Sequence, residues 1–416
     1  MNIIVLAIDR LHAGFIGCYG NAWVATPNFN RLASESFVFD QAFVDHPGLS
    51  ELCRSWWTGT HYIERQSQSR ERPTLAGRFG AAGFITTCLT DDASIASHPL
   101  IGSFDEMIAI GAAAGSEVLQ AVAESPEQTQ LGQFFATATQ LLDQPREPFF
   151  LWLQSRGMQA AWDAPYAYRD QYAEEGEAEP PDFVEPPGRC LSEADDPDEL
   201  WGMAQAYAGQ ITLVDECLGG FLELLEAEQL AGDTVLVVVG ARGFPLGRNR
   251  RLGDIDQALF SELVQTPLLI RLPDGPGAPG RSQSLVQPGD LAATLLDVAA
   301  LPGEDVGYSR SMLPVIRGDL PSLREFICLA GEGGERAFRT PAWYLRLPQP
   351  QTAGVEAAPE LYAKPDDRWD VNDVAARCPE IVAAMHTAHD AAAKAFTAEP
   401  PLEVPILDES LVSDLR

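Results

Sequence analysis

A continuous apolar run, NIIVLAI at 2–8, ends on Asp9 and Arg10. Such a run suits a buried central strand, and α/β proteins place ligands at the carboxyl ends of those strands. A carboxylate there can hold a cation or a guanidinium. An arginine there can grip the oxygens of sulfate, phosphate or carboxylate with its planar fork. Ser50 and Cys53, within LSELCR at 49–54, are nucleophile types, with Arg54 beside them and His46 and His61 close in sequence. Proton carriers are scarce. Lys364 and Lys394 are the only lysines, and no histidine lies between 99 and 385. The middle of the chain therefore lacks the two side chains most used for proton transfer near neutral pH. GEGG at 331–334 has no Lys-Ser/Thr after it and reads as a turn, not a phosphate loop.

The elements that must position these residues alternate. Strand-like runs at 36–44, 83–92, 148–155, 234–243 and 266–273 alternate with helical patterns at 26–36, 73–83, 128–143, 200–230 and 290–302. Thr26 is the expected cap of the first helix, with Pro27 in its first turn. Alternation of this kind implies a mostly parallel sheet covered on both faces. The stretch 163–199 is irregular and rich in Pro, Glu and Asp, and reads as a surface excursion without a site. After about 320 the texture changes to short antiparallel strands and a closing helix. The expected organisation is a large α/β domain over 1–320 and a small α+β subdomain over 321–416, within the 416 residues.

Composition narrows the function classes. Hydrophobic residues make up 46%, enough for a large core. With 28 Lys+Arg against 60 Asp+Glu, the net charge of −32 disfavours nucleic acid and anionic membranes as partners. Seven scattered cysteines, never in a CxxC pair, argue against a disulfide framework and a zinc site. No apolar run reaches the ~18 residues of a membrane span, and the first strand starts at residue 2, so a cytoplasmic location is expected.

The same segments, in order along the chain, resemble the sulfatase family of the alkaline-phosphatase superfamily. NIIVLAIDRLHAGFIGCYGNAWVATPNFNRLA is similar to the family opening, WWTGTH to the stretch after the nucleophile, and PFFLWLQS to the strand leading to a catalytic histidine. AYAGQITLVDECLGGFLELLEAEQLAGDTVLVVVGARG is similar to the long helix and the strand before an Asp-His-Gly or Asp-Asn-Gly turn. QTPLLIRLP, GDLAATLLDVAALPG and PELYAKPDDRWDVNDVA match later blocks. The resemblance implies an alkaline-phosphatase-like sheet. It also implies a divalent cation, usually calcium, held by oxygen ligands, and a Cys or Ser in a Cys/Ser-x-Pro-x-Arg motif oxidised to formylglycine.

Carried over residue by residue, the chemical parts are mostly missing. The metal-binding Asp pair reads Asp9-Arg10, and the Asp-His-Gly turn reads Ala241-Arg242-Gly243. Asp254 stands where a lysine would, and the catalytic histidine falls near Gln159. An ungapped reading puts Leu49 at the nucleophile and Cys53 at the arginine; one shift puts Ser50 there and keeps Arg54. Either way the motif's proline is absent, with Glu51 or Leu52 in its place. The expectation is a sulfatase-like protein that has lost metal-dependent sulfuric ester hydrolysis, with Asp9 as a metal remnant and no cofactor. Arg10, Arg54 and Arg242 would converge on a small anion, sulfate, phosphate or carboxylate, or the fold would serve a protein partner. The plainer reading of these residues pairs Asp9 with Arg10 or Arg242, and Arg54 with Glu51. The functional alternative is an active sulfuric or phosphoric ester hydrolase with a rebuilt site, which alone would call for calcium.

Overall fold

The computed structural model describes residues 1–67, 72–111, 121–143, 145–146, 148–255, 258–273, 279–303, 308–349, 357–398 and 403–413. Fourteen strands are described: β1 (Asn2–Ile8), β2 (Phe37–Phe43), β3 (Ile85–Thr90), β4 (Glu106–Ala109), β5 (Phe149–Ser155), β6 (Gly188–Cys190), β7 (Thr234–Gly240), β8 (Arg251–Gly253), β9 (Gln265–Arg271), β10 (Gly280–Val286), β11 (Ile327–Ala330), β12 (Arg336–Arg339), β13 (Trp343–Leu347) and β14 (Glu360–Ala363). Eight form the main sheet, in the order β10-β2-β9-β7-β1-β5-β3-β4. The pairs β1–β5, β1–β7, β3–β5 and β3–β4 are parallel, as the alternating pattern requires, and β7–β9 is antiparallel. β11 to β14 form a separate antiparallel sheet in chain order.

Two compact units emerge, both discontinuous. The first comprises Met1–Asp40, Ala76–Ile255 and Thr266–Arg281; the second comprises Gln41–Leu75, Asp256–Gln265 and Ser282–Arg416. The sequence reading instead draws one boundary near 320.

In the first unit, β1 is buried along its whole length, as are β5 and β7 on either side. Helices Pro27–Ser34, Gln130–Gln140 and the long Pro197–Ala227 lay apolar faces on this sheet through Phe29, Phe134, Phe135, Ile211, Leu218 and Phe221. The helix at Pro27 is not capped as expected. Thr26 Oγ1 accepts from Gly17 N at 2.8 Å, and Asp215 of the long helix accepts the first-turn N–H groups of Asn28 and Phe29 at 3.1 and 2.8 Å. A carboxylate from another element thus satisfies donors that a helix leaves open, and suits its positive end.

In the second unit, helix Leu49–Thr58 buries Leu52, Cys53, Trp56 and Trp57, so the tryptophan pair is core packing. It ends on Gly59 at φ +68°, a left-handed position that glycine accepts without cost. A Cβ there would lie 3.3 Å from Ala292 Cβ, on helix Pro288–Val298. GEGG forms the tight connection between β11 and β12, with Gly333 and Gly334 at positive φ.

Candidate functional site

Three adjacent parallel strands stop at one edge of the main sheet. Ile8, the last residue of β1, is in register with Ser155 of β5 and Gly240 of β7. The residues just beyond therefore meet: Asp9 and Arg10 after β1, Gln159 after β5, and Arg242 after β7. Backbone hydrogen bonds carry the ladder past the strand ends, from Asp9 N to Ser155 O (3.0 Å), Ala241 N to Ile8 O (2.9 Å) and Met158 N to Asp9 O (3.1 Å). Gly157 makes the last approach possible. It sits at φ +50°, and a Cβ there would lie 2.4 Å from Asp9 O.

Asp9 is fully buried, and Arg242 grips it as a fork. Arg242 Nε donates to Asp9 Oδ1 at 2.9 Å and its Nη2 donates to Oδ2. Asp9 Oδ1 also accepts from Arg10 N at 3.0 Å. Arg10 is 1% exposed; its Nε donates to Gln159 Oε1 at 3.0 Å, its Nη2 to Asp254 Oδ1 at 2.5 Å and its Nη1 to Gly243 O at 3.5 Å. The backbone of Arg10 is left-handed, φ +60°, a conformation that costs a non-glycine residue about 1 kcal/mol or more. Tyr207 of the long helix holds that turn: its OH donates to Arg10 O at 2.6 Å and accepts from His12 N at 3.0 Å.

Electrostatics set the arrangement. Burial and then the neighbouring Arg242 lower the pKa of Arg10, while Asp9 and Asp254 raise it. Two cations this close persist because two carboxylates interleave with them, Asp9 against Arg242 and Asp254 against Arg10. The four formal charges cancel.

Five of the residues singled out in the sequence thus come together: Asp9, Arg10, Gln159, Arg242 and Asp254. The pairing of Asp9 with Arg242 follows the plainer of the two readings. Of the three arginines expected to hold a small anion, Arg10 and Arg242 already hold carboxylates of the chain itself. Sequence reasoning missed Tyr207 and Gly157, which carry no motif, and left Asp254 without a partner. A readable signal existed there: a cation where the family has an aspartate and an aspartate where it has a lysine amount to a charge exchange.

The family model described as Sulfatase matches residues 1–301. The chain belongs to the sulfatase family. It is 29% identical over 96 residues to an arylsulfatase of Clostridium perfringens, covering 21% of this chain and 20% of that one. It is 23% identical over 357 residues to iduronate 2-sulfatase of Homo sapiens, covering 71% of this chain and 63% of that one. The matched part is less than two thirds of either relative's length. Among solved structures, a phosphonate monoester hydrolase of Agrobacterium radiobacter superposes with a TM-score of 0.77 at 16% identity, covering 100% and 99% of the two chains. A protein solved with its substrate D-glucosamine-2-N,6-O-disulfate gives 0.75 at 16% identity, covering 96% and 99%. The fold is that of the alkaline-phosphatase superfamily.

The sulfatase family implies a divalent cation at this edge, and the residues present do not fit one. A hard cation such as calcium wants ~6–8 oxygens. Both oxygens of Asp9 are turned to Arg242, and Arg10 fills the adjoining space. Among the described residues no group of three or more His, Cys, Asp or Glu is placed to hold an ion.

The nucleophile segment lies in the second unit, on helix Leu49–Thr58. Ser50 is exposed in the first turn, Leu49 and Cys53 are buried, and Arg54 is half-buried one turn beyond Ser50. Glu51 pairs with Arg65, not with Arg54 as expected. The two nearby histidines serve local structure. His46 Nδ1 accepts from Gly48 N at 2.9 Å, its ring stacks on Tyr62, and burial pushes its pKa down to about 4. His61 Nδ1 accepts from Ile63 N at 3.1 Å, and its Nε2 lies 3.1 Å from Cys328 O. All seven cysteines are free thiols, and burial raises Cys18, Cys88 and Cys217 to about 12. Among the described residues, no helix is long and apolar enough to cross a membrane.

Proposed function

We propose that this chain is a sulfatase-family protein that has given up metal-dependent ester hydrolysis and uses the fold for binding. The observation that carries this reading is the bidentate grip of Arg242 on the buried Asp9 carboxylate. That carboxylate is the remaining member of the family's Asp pair, and a guanidinium now supplies the positive charge a cation would. With Asp254 on Arg10, the arginines are neutralised internally. A sulfate or phosphate would have to displace a carboxylate to reach either one, so the reading favours a protein partner over a small free anion. A cytoplasmic setting is part of the same proposal.

The test is turnover of an aryl sulfate and an aryl phosphate by purified protein, beside Asp9→Ala and with Ser50 and Cys53 followed by peptide mass spectrometry. The expected result is no turnover above the variant and no formylglycine at either residue. Turnover that Asp9→Ala abolishes, or conversion of Ser50 or Cys53, would return the chain to the hydrolases.

A further inference from the structure

The first unit carries two large aromatic rings on its surface that touch each other. Trp23 is 37% and Trp201 39% exposed, and their rings stack at 5.1 Å between centroids and 24° between planes. Single exposed apolar residues need no explanation, but a contiguous exposed pair is a marker of interaction. Tryptophan is also the residue type that most often dominates binding energy at interfaces.

This pair is held in place. Trp23 lies edge-on to Tyr172 (5.3 Å) and Phe15 (6.0 Å), and its backbone N–H donates to Asn21 Oδ1 at 2.9 Å. The Tyr172 hydroxyl is 2.6 Å from Thr212 Oγ1 on the long helix. Trp201 rises from that helix beside Glu177, which accepts from Glu174 N at 2.9 Å and Gln205 Nε2 at 3.1 Å; the Glu174 N–H and then Trp201 hold that carboxyl below its ordinary pKa. The excursion at 163–187 behind Tyr172 is pinned by the fully buried Arg169. Its guanidinium donates to four carbonyls, those of Pro181, Asp182, Trp162 and Ala164, at 2.7–3.1 Å. A platform ordered in advance loses little freedom when a ligand settles on it.

Charge identifies the occupant. Between 163 and 199 there are 13 Asp and Glu and two Arg. Both arginines are spent, Arg169 on carbonyls and Arg189 on Asp195 and Glu199. Glu177 is exposed beside Trp201, its chain neighbours Glu174 and Glu175 are exposed as well, and Asp198, three residues before Trp201 on the helix, shares its face. An anion is repelled here and a neutral ligand gains nothing from the rim. A cation gains from the carboxylates and from the ring faces, and guanidinium, which stacks flat on indole, gains most. We propose that the Trp23–Trp201 stack and its acidic rim dock a basic, arginine-bearing segment of a partner protein. The proposal uses none of the charged residues of the ion-paired sheet edge, so it stands or falls independently of the loss of hydrolysis.

The test titrates the full chain with a synthetic peptide alternating arginine and serine, at about 0.15 M salt, where charges beyond roughly 8 Å are screened. The same peptide with glutamate for arginine is the control. The expected result is saturable one-to-one binding, weakened at least about tenfold by Trp23→Ala and by Trp201→Ala, neither of which alters net charge. Trp201→Phe keeps a ring face and should stay within about threefold. Glu174→Gln with Glu175→Gln, both exposed and harmless to folding, should weaken binding and flatten its salt dependence. Peptide binding unchanged by the two tryptophan variants would mean a diffuse field and overturn the proposal. So would absence of saturable binding, or equal binding of the glutamate control or of a neutral oligosaccharide such as cellohexaose.

Discussion

Two of the buried ion-pair clusters among the described residues are built differently. In the second unit, Arg346 of β13 pairs with Glu335 at 2.6 Å and with Glu360, its guanidinium 3.4 Å over the ring of Phe260. Lys364 pairs with Asp370 at 2.5 Å. These partners are 11, 14 and 6 residues apart. They are local stitches across strands and turns of one small sheet. At the main sheet edge the partners of Asp9 and Arg10 are 233 and 244 residues away. Those pairs exist because three parallel strands end side by side, at the place where α/β folds keep ligands. Buried charge alone is therefore no sign of a site. Long-range charge at a sheet's carboxyl edge is, and here it is consumed within the protein.

Breaking a pair should separate the two clusters. Arg242→Met leaves the Asp9 carboxylate buried with only the Arg10 N–H that is seen on it, and should cost about 3–5 kcal/mol in urea unfolding. Replacing both, Asp9→Leu with Arg242→Met, should recover most of that loss, since an apolar pair carries no desolvation penalty. Lys364→Met should cost less, about 1–3 kcal/mol, because Asp370 keeps the hydrogen bonds of Ser261 N and Oγ at 2.5 and 3.0 Å. A larger loss at Lys364 than at Arg242 would reverse the comparison. Asp254→Asn should cost about 1–2 kcal/mol: the amide oxygen can still accept from Arg10, but that guanidinium, 1% exposed, loses a charge partner that is itself 41% exposed and partly screened.

The effects of pH oppose each other. Burial raises Asp91, at the end of β3 in the first unit, to about 6, against the hydrogen bond it accepts from Arg156 N at 2.7 Å. Between about 4 and 6 the folded chain then holds this proton more tightly than the unfolded one, so the Asp91 contribution falls as pH rises through that window. His46 in the second unit is lowered to about 4. Between about 4 and 6.5 the unfolded chain binds its proton more tightly, so the His46 contribution grows as pH rises. Urea unfolding free energies across pH 4 to 6.5 should therefore change slope in opposite directions in Asp91→Asn and His46→Gln, by about 2–3 kcal/mol each over the window. Slopes of the same sign would show that one assignment is wrong.

The sheet was legible because its signals are local and repeated. NIIVLAI, PFFLWLQS and TVLVVV can hardly be anything but buried strands, and the helices between them dictate parallel order. The positions at the edge were legible too, since strand ends place them whatever side chain they carry. What the sequence could not supply was the choice among partners. Arg10, Arg54 and Arg242 face 60 acidic residues, and composition cannot say which carboxylate each one takes. Glu51 illustrates this: the near neighbour in sequence is Arg54, yet helical geometry and the following turn bring it Arg65. Thr26 failed as a cap for the same reason, a residue 187 positions from Asn28 reaching the helix first. The acidic excursion reads as a surface stretch without a site because the contacts that hold it are long-range, among them the buried Arg169 and the Tyr172–Thr212 and Gln205–Glu177 hydrogen bonds, and no pattern marks them.

The central claim, that an arginine now occupies the role of the family's cation, is tested most directly by calcium. The measurement is the melting temperature of chelator-treated protein, with and without millimolar calcium, for the natural chain and for Asp9→Ala. The account predicts the same melting temperature with and without calcium in the natural chain, and a lower one in the variant because the buried Asp9–Arg242 pair is broken. A calcium-dependent rise in the natural chain that disappears in Asp9→Ala would show that Asp9 still serves a metal and would contradict the account.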